Sequence, residues 1–384
     1  HTASVSEGIQ TPKQLTSKLS GGQKMIYAPE GSRLHTPENQ AALRSISAME
    51  HAMHTGMILE ARAVLCDSCH NLAVSLPCMR GIIPREEGAM GIAEGTTKDI
   101  ALIARAGKPV CFRILRIEED ASGLPVAILS RRIVQEECWK QYLSHCTPGD
   151  ILPAVVTHLE KFGAFVDIGC GIPSLLPIDT ISVSRIAHPR DRFTVGQSIR
   201  VIVRQVEPGR IHLTHRELLG TWAENAAMFS AGQTVAGIIR SVESYGVFVE
   251  LSPNLAGLAE PHEDAAAGMC ASVYIKAILP EKMKVKLILI DTFRQSEPPQ
   301  PLHYFIPKSQ NHLRQWRYPP EHSPRIIETI FDSSAADCTI FPYPAYSKNE
   351  QKRFAGYGLL SNTAQSPPGG FARNLLADFP SYCP

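Results

Sequence analysis

Two short stretches of this chain are nearly the same: KFGAFVDIG at residues 161–169 and SYGVFVELS at residues 244–252. Each has an aromatic residue before a glycine, then a small or branched residue, a phenylalanine and a branched–acidic–branched alternation. A repeated strand indicates a repeated structural unit, because each copy needs equivalent neighbours to bury its apolar face. The chain is therefore expected to consist of copies of one small β unit.

Three units of this kind align along the sequence. Each begins with a turn that contains a glycine, at Gly56, Gly149 and Gly232, and continues with an alternating strand, a second strand, a short apolar return and a closing strand–turn–strand. Five short strands with period-2 alternation favour a closed barrel of the OB type over a sandwich, which usually needs more strands. The sequence predicts a mainly β fold of three tandem five-stranded OB-fold barrels, joined by short helices, with flexible termini.

The stretches outside the units complete the predicted organisation. Thr36 followed by Pro37 is typical of a helix start and Gly56 of its end, and helical spacing of apolar residues recurs before the second and third units. After about residue 294 the periodicity is lost. The predicted segments are a disordered extension at 1–35, a helix at 36–54, a degenerate OB domain at 55–132, a linker helix at 133–146, an OB domain at 147–219, a linker helix at 220–230, an OB domain at 231–294, an irregular appendage at 295–332 and a disordered tail at 333–384.

Composition excludes several classes of protein. The chain has 384 residues, of which 44% are hydrophobic, enough for two or three separate cores. The net charge of +1 does not indicate a strongly basic nucleic-acid binder, and the ten cysteines follow no regular spacing, as is typical of reduced thiols. No apolar run approaches membrane-spanning length, and the polar N-terminal stretch lacks the apolar centre of a secretory signal. We therefore expect a cytoplasmic, multi-domain protein without a membrane partner.

The second strand of the second and third units places a phenylalanine beside a carboxylate. Strict alternation puts Phe165 on the same face as Asp167, and Phe248 on the same face as Glu250. A face that carries a carboxylate is expected to be exposed, so both phenylalanines are predicted to face solvent. An exposed phenylalanine at the same position of two units indicates a binding surface.

A second aromatic residue precedes each of these phenylalanines by three positions. Phe162 and Tyr245 would lie on the opposite face of a regular strand, but a bulge at Gly163 or Gly246 would bring them onto the same face. Two neighbouring aromatic rings form a platform on which unpaired bases stack, at about 1–3 kcal/mol per base. The alternative left open is that the two residues are buried plugs of the barrels.

Basic residues in the closing hairpins are candidates for phosphate contacts. They alternate with buried-type residues in both units, and the alternative interpretation is an ordinary solvated face. In the second unit they are Arg200, Arg204 and Arg210, and in the third unit they are Lys276, Lys284 and Lys286.

The first unit lacks this platform. Its second strand, CDSCHNLAVSL, has no Phe, Tyr or Trp, and His70 is its only ring. We expect a docking or structural role for this unit.

Two other clusters of side chains have the residue types of a metal site or a catalytic site. Cys66, Cys69, His70 and Cys78 have the element types of a zinc site, but the second ligand pair is incomplete and strands lie between. Two further histidines, at positions 212 and 215, lie close to a glutamate without a nucleophile beside them. The sequence therefore predicts no metal, no cofactor and no enzymatic activity.

The quoted motifs resemble the S1 RNA-binding domain family, an OB-fold module that is repeated in a ribosomal protein of bacterial small subunits. KFGAFVDIG, SLLPIDTIS and VGQSIRVIVRQVEPGRIHLTHRE extend the resemblance through the whole second unit, and SVESYGVFVELSPNLAGLAE covers the front half of the third. The first unit, with RGIIPREE and ILSRRIVQEECWKQYL, is similar to a degenerate copy. The resemblance covers residues 55–294.

The resemblance implies specific RNA-facing positions. In the family two aromatic residues, a histidine after the third strand and an acidic–basic pair at the last hairpin face the RNA. The position of the histidine is occupied by Pro177 in the second unit and by Glu260 in the third. The matching residues of this chain are Phe162, Phe165, Glu207 and Arg210 in the second unit, and Tyr245, Phe248 and Lys284 in the third.

Together these observations predict non-enzymatic binding of single-stranded RNA, in translation, with messenger RNA held at the small ribosomal subunit. Residues 55–132 are expected to dock to that subunit or to another protein. Two alternatives remain open at this point: a protein-interaction scaffold that has lost RNA binding, and an accessory RNA-binding subunit of an RNA-processing complex.

Overall fold

The computed structural model describes residues 26–294, 301–320, 323 and 326–332. The first β unit follows helices α1 (Pro37–Leu43) and α2 (Ile46–Thr55) and contains a short helix, α3 (Ile100–Ile103). Its strands are β1 (Leu59–Cys66), β2 (Leu72–Ser75), β3 (Arg80–Ile83), β4 (Pro109–Glu119) and β5 (Pro125–Ser130). They form a closed barrel in the order β1–β2–β3–β5–β4.

The second unit follows helix α4 (Arg132–Gln141). Its strands are β6 (Ile151–Glu160), β7 (Gly163–Asp167), β8 (Pro173–Pro177), β9 (Ser198–Glu207) and β10 (Arg210–Thr214). They form a five-stranded sheet in the order β10–β9–β6–β7–β8. The hydroxyl of Ser174 in β8 donates to the carbonyl oxygen of Ile211 in β10 at 2.7 Å, so the two edge strands meet and the barrel is nearly closed.

The third unit follows helix α5 (Trp222–Ala226). Its strands are β11 (Thr234–Glu243), β12 (Gly246–Ser252), β13 (Leu255–Ala259), β14 (Cys270–Leu279) and β15 (Lys284–Phe293), closed in the order β11–β12–β13–β15–β14. Two further strands, β16 (Gln315–Arg317) and β17 (Glu328–Ile330), pair with each other. The predicted fold of three tandem five-stranded barrels is confirmed.

The region before the first barrel contains two helices where the sequence predicts one at 36–54. The Thr36 hydroxyl accepts from an amide of the first turn, and Gly56 ends the second helix in the left-handed conformation, with φ of 63°. Between them, the hydroxyl of Ser45 caps a new helix start. Because serine offers the backbone a competing hydrogen bond, it interrupts the helix at that point.

Residues 26–35 pack between the first and second barrels. Tyr27 is buried and its ring stacks on Tyr142 with a centroid distance of 6.2 Å, and Glu30 is buried as well. The prediction of a disordered extension is therefore wrong for these ten positions, because the segment fills the joint between the barrels. The predicted disordered stretches at 1–25 and 333–384, and residues 295–300 of the appendage, lie outside the described residues.

The described part of 301–332 packs along the second and third barrels. Trp316 and Tyr318 belong to the core of the third barrel, and Phe331 packs with Ile151 and Ile202 of the second. The Tyr318 hydroxyl donates to the carbonyl oxygen of Asn254 at 2.6 Å. The described residues of this segment (301–320, 323 and 326–332), which we call the C-terminal strap, therefore contact both barrels.

Candidate nucleic-acid interface

A tight hairpin turn positions the aromatic pair in each of the last two barrels. Glu160 pairs with Gly163, so residues 161 and 162 form a two-residue connection between β6 and β7. Glu243 pairs with Gly246 in the same way between β11 and β12. The first aromatic residue of each pair is therefore the second residue of the turn, at the tip of the hairpin.

The two aromatic pairs have the same geometry. The ring centroids of Phe162 and Phe165 are 6.0 Å apart with the planes at 90°. Those of Tyr245 and Phe248 are 6.1 Å apart at 88°. Edge-to-face contact of this kind is favourable and holds both rings on one side of the hairpin.

The glycine after each turn is required by the third strand of the barrel. A Cβ atom on Gly163 would lie 2.5 Å from the carbonyl oxygen of Leu176, and one on Gly246 would lie 2.5 Å from that of Ala259. Any side chain at either position would therefore push the third strand away. The glycine is needed for close approach of the backbones.

The prediction of a bulge at Gly163 or Gly246 is wrong, because the irregularity lies on the neighbouring strand. The register shifts lie on the preceding strands instead, between Val156 and His158 in β6 and between Ile239 and Ser241 in β11. Because the first aromatic residue is part of the turn and not of the strand, it reaches the side of the phenylalanine without a bulge at the glycine.

The phenylalanine of the second barrel is much less exposed than predicted. Phe165 is only 5% exposed, because the ring of Phe162 stands edge-on to it and the ring of His158 lies 6.3 Å away. In the third barrel Phe248 is half-buried, and Tyr245 is 65% exposed. The expectation of an exposed phenylalanine is therefore wrong for Phe165, and the third barrel presents more aromatic surface. His158 went unnoticed in the sequence, although it directly opposes Phe165 in the hairpin register.

The carboxylates of the repeated strand are buried, which contradicts the expectation of an acidic, exposed face. Asp167 accepts from the backbone amides of Glu30 at 2.8 Å, Gly169 at 2.8 Å and Gly171 at 3.0 Å. Burial and the nearby charge of Glu30 raise the pKa of Asp167 to about 7. Three amide donors compensate for the lost water, which is why this polar group can lie inside.

Glu250 occupies the same position in the third barrel and is also buried. Arg240 donates to it from Nε at 2.7 Å and from a terminal nitrogen at 3.1 Å, and Arg192 of the second barrel donates at 2.5 Å. Although burial alone would raise it, the guanidinium groups of Arg192 and Arg240 lower the pKa of Glu250 below its usual value. This carboxylate therefore joins the second barrel to the third.

Basic side chains lie on the outer face of the third barrel near its aromatic pair. Lys276, Lys284 and Lys286 are all exposed. Phe248 pairs directly with Leu258, and Leu258 pairs with Lys286, so these side chains form one row across three strands. Directly paired residues point to the same face of a sheet, so the row joins an aromatic ring to a cation.

Arg200 of the second barrel binds the C-terminal strap, whereas Arg204 and Arg210 lie on the β9–β10 hairpin. The guanidinium of Arg200 donates to the carbonyl oxygens of Ile306 at 2.7 Å, Pro307 at 3.0 Å and Gln310 at 3.0 Å. Its donors are thus used to hold the C-terminal strap, and it does not take part in the aromatic platform. This placement differs from the predicted phosphate contact, because the strap offers carbonyl oxygens that the sequence pattern could not reveal.

The acidic–basic pair of the second barrel lies at the tip of the β9–β10 hairpin. Glu207 pairs directly with Arg210 in the strand register. One carboxylate oxygen of Glu207 lies 3.3 Å from Nε2 of His212. Arg204 is exposed on the same hairpin.

The first barrel carries Ala73 where the other two carry phenylalanine. In the strand register, Ala73 opposes Leu65 as Phe165 opposes His158 in the second barrel. Leu65 is 48% exposed and the neighbouring Val64 is 58% exposed.

The structure also places the candidate zinc ligands and the histidines of the second unit. No group of three or more His, Cys, Asp or Glu side chains within the described residues is placed to hold a metal ion. His215 is fully buried, with Nδ1 2.8 Å from the carbonyl oxygen of Ile181 and Nε2 3.2 Å from the Tyr304 hydroxyl. Burial lowers the pKa of His215 to about 4, so this ring is neutral and holds the fold together.

None of the helices in the described part of the chain has the length and apolar character needed to cross a membrane.

The second barrel is similar to a known protein family. Residues 146–216 match the family model described as "S1 RNA binding domain". These residues include all five strands of the second barrel and its aromatic pair.

Two curated relatives are small ribosomal subunit proteins bS1. The protein from Rhodopseudomonas palustris is 30% identical over 168 residues, which is 42% of this chain and 29% of the relative. That from Leuconostoc lactis is 30% identical over 194 residues, or 49% of this chain and 43% of the relative. The chain thus spans less than half the length of these relatives.

Among solved structures, a multidomain protein with nucleic acid binding domains from Streptococcus pneumoniae matches 61% of this chain and 73% of its own. The sequence identity is 13% and the TM-score is 0.22, too low for any conclusion about a shared arrangement of domains.

Proposed function

We propose, from the premise that residues 146–216 are an S1 RNA-binding domain, that this chain binds single-stranded RNA without catalysing a reaction. The observation that carries the proposal is the aromatic pair, which has the same edge-to-face geometry in the second and third barrels. One of the two barrels matches the family model, and the other has the same two-residue turn with an aromatic residue before the glycine and a phenylalanine two positions after it. Binding by stacking also suits a chain with a net charge of only +1.

The assigned contacts follow from the geometry of the two barrels. The aromatic rings stack on bases, while the basic and acidic residues of the closing hairpins contact phosphates, sugars or base edges. In the second barrel the proposed contacts are Phe162, with Phe165 packed behind it as its support, and Arg204, Glu207 and Arg210. In the third they are Tyr245, Phe248, Lys276, Lys284 and Lys286.

The proposed setting is translation in the cytoplasm, with messenger RNA held at the small ribosomal subunit. The support is the similarity to ribosomal bS1 proteins, which covers less than half of each relative. The first barrel would dock to the subunit, since its first strand has two exposed aliphatic side chains, Val64 and Leu65, and the unit has no phenylalanine or tyrosine at the platform positions. Co-sedimentation with purified small subunits tests this part. Loss of co-sedimentation in Leu65→Asp supports the docking role, and unchanged co-sedimentation contradicts it.

Fluorescence anisotropy of a labelled single-stranded RNA, roughly a dozen nucleotides long to match OB-fold site sizes, tests RNA binding. The full chain is compared with Phe162→Ala/Tyr245→Ala, which removes the outer ring of each pair. Leu124→Ala is the matched control, because Leu124 is 59% exposed at a turn of the first barrel. We expect tight binding that the double variant loses and the control keeps.

One observation favours a second candidate function, a protein-interaction scaffold. Phe165 is covered by its neighbours, so the second barrel offers little open ring surface. If the unmutated chain does not bind the RNA even at low salt, the scaffold replaces the RNA-binding proposal.

A further inference from the structure

The outer face of the third barrel carries a band of exposed apolar and basic side chains beyond the aromatic pair. Tyr274 in β14 is 37% exposed and pairs directly with Ile288 in β15, which is 43% exposed. Ile290, two positions further along β15, is 54% exposed. Singly exposed apolar residues are common, but a continuous group on one face indicates a contact surface.

The same face of the second barrel is covered. In the third barrel Thr234 opposes Tyr274, and the corresponding pair of the second barrel is Ile151 and Ile202. Ile202 is fully buried, because it packs against Phe331 of the C-terminal strap. The strap thus covers this face in the second barrel, whereas the same face of the third barrel is exposed. The exposed face has Tyr274 at the position where the covered face has Ile202.

The open face is continuous with the aromatic pair. Phe248 pairs with Leu258, which is 37% exposed, and Leu258 pairs with Lys286. Ile288 lies two positions after Lys286 on the same strand and therefore on the same face. Since neighbouring strands are about 4.8 Å apart, the three steps from Phe248 to Tyr274 span roughly 14 Å around the barrel.

The charge of this face favours a polyanion over another protein. Lys276 lies two positions after Tyr274, and Lys284 and Lys286 are on the neighbouring strand, all exposed. The exposed positions of β14 and β15 within the band carry no carboxylate, and the nearest acidic residues in the sequence are Glu260, two positions after Leu258, Glu281 in the turn and Asp291 near the end of β15. Lysines beside a tyrosine are the combination by which OB-fold surfaces hold successive nucleotides.

We propose that Tyr274 is a further base-stacking position, reached by a single-stranded RNA that runs from Tyr245 and Phe248 across Leu258 and Lys286. The proposal rests on the RNA-binding function proposed above. It assigns a longer RNA site to the third barrel than to the second, where the strap covers the corresponding position.

The test compares short and long RNA on the full chain. Tyr274→Ile introduces the residue found at the equivalent position of the second barrel, so the strand-forming tendency and bulk are kept. Anisotropy is measured with oligouridines of about four and about twelve nucleotides, near the limits of OB-fold site sizes. We expect unchanged affinity for the short RNA and about a fivefold loss for the long one, the lower end of what one stacked base contributes.

The outcomes separate this proposal from the proposed function. If the unmutated chain binds neither RNA, the function fails. If it binds both, Phe248→Ala weakens both and Tyr274→Ile changes neither, the function stands and the role of Tyr274 is overturned. A change of oligomeric state in Tyr274→Ile, measured by analytical ultracentrifugation, with RNA affinity intact would assign the face to protein contact and also overturn the proposal. Leu124→Ala, at an exposed turn of the first barrel, is the control for nonspecific effects.

Discussion

The second and third barrels carry the same aromatic pair, but the carboxylate two residues after the phenylalanine joins each barrel to a different kind of partner. Asp167 holds backbone amides, including that of Glu30 between the first and second barrels. Glu250 holds two guanidinium groups, one of which belongs to the second barrel. The repeated strand therefore has two uses: its rings form the candidate RNA surface, and its carboxylate fixes the barrel to the part of the chain before it.

The first barrel shows what happens when both features are absent. Ser75 stands where the other barrels have their carboxylate and is exposed, and Ala73 stands where they have phenylalanine. The unit still closes into a barrel. The rings and the carboxylate are thus additions to the fold, and neither is needed to form it.

The largest expected effect is the loss of Glu250. Glu250→Ala leaves Arg192 and Arg240 without their buried partner, which should cost about 3–5 kcal/mol of unfolding free energy. Chemical denaturation followed by fluorescence measures it. The control is Glu243→Ala, an exposed carboxylate on β11, which should change stability by less than about 0.5 kcal/mol. Equal effects of the two variants would show that the joint does not depend on Glu250.

Asp167→Ala tests the contact between the first and second barrels. It should lower the free energy of unfolding by about 2–3 kcal/mol, since three buried amides lose their acceptor. Hydrogen exchange of the Glu30 amide should become faster. The Ser184 amide, which donates to the carbonyl oxygen of Pro253 between the second and third barrels, should keep its protection. Faster exchange at both amides would mean that the joints are not separate.

The difference in ring exposure predicts unequal contributions to RNA binding. Tyr245→Ala should weaken binding by about 1–2 kcal/mol, and Phe162→Ala by about 0.5 kcal/mol, because Phe162 and Phe165 cover each other. Anisotropy titrations of the two single variants measure both values. A larger loss for Phe162→Ala would reverse the assignment of the third barrel as the stronger site.

The last expected effect concerns pH. Glu60 of the first barrel accepts hydrogen bonds from the backbone amides of Gly31 and Arg33. Burial raises the pKa of Glu60 to about 7. A carboxyl group with a raised pKa binds its proton more tightly in the folded state, so its contribution is present at low pH and is lost as pH rises through about 7. Between pH 6 and 8 this should amount to about 1 kcal/mol.

The pH dependence of stability should differ between Glu60, which contacts segment 26–35, and Glu250, which joins the second barrel to the third. The lowered pKa of Glu250 has the opposite sign, so its contribution persists at alkaline pH and is lost only as pH falls through that pKa. Denaturation curves of Glu60→Gln at pH 6 and 8 serve as the control. A pH dependence equal to that of the unmutated chain would contradict the role assigned to Glu60.

Much of this fold could be predicted from local pattern. The alternation of the strands and the glycines at the turns were sufficient for three barrels, because both depend on neighbours close in sequence. The exposure of Phe165 was predicted wrongly, since alternation divides a strand into two faces but does not say what covers the outer one. The same limit applies to Arg200, whose partners lie in the strap more than a hundred positions later.

The sequence by itself determined the repeat: three β units, an aromatic pair in two of them, and a glycine that lets the third strand approach. The tertiary structure alone decided which of these residues remain accessible. Segment 26–35 buries Asp167, Arg192 buries Glu250, and the strap covers Ile202 but leaves Tyr274 open. The physical reason is that burial and the pairing of charges depend on contacts between distant segments, which no periodicity within one strand can encode.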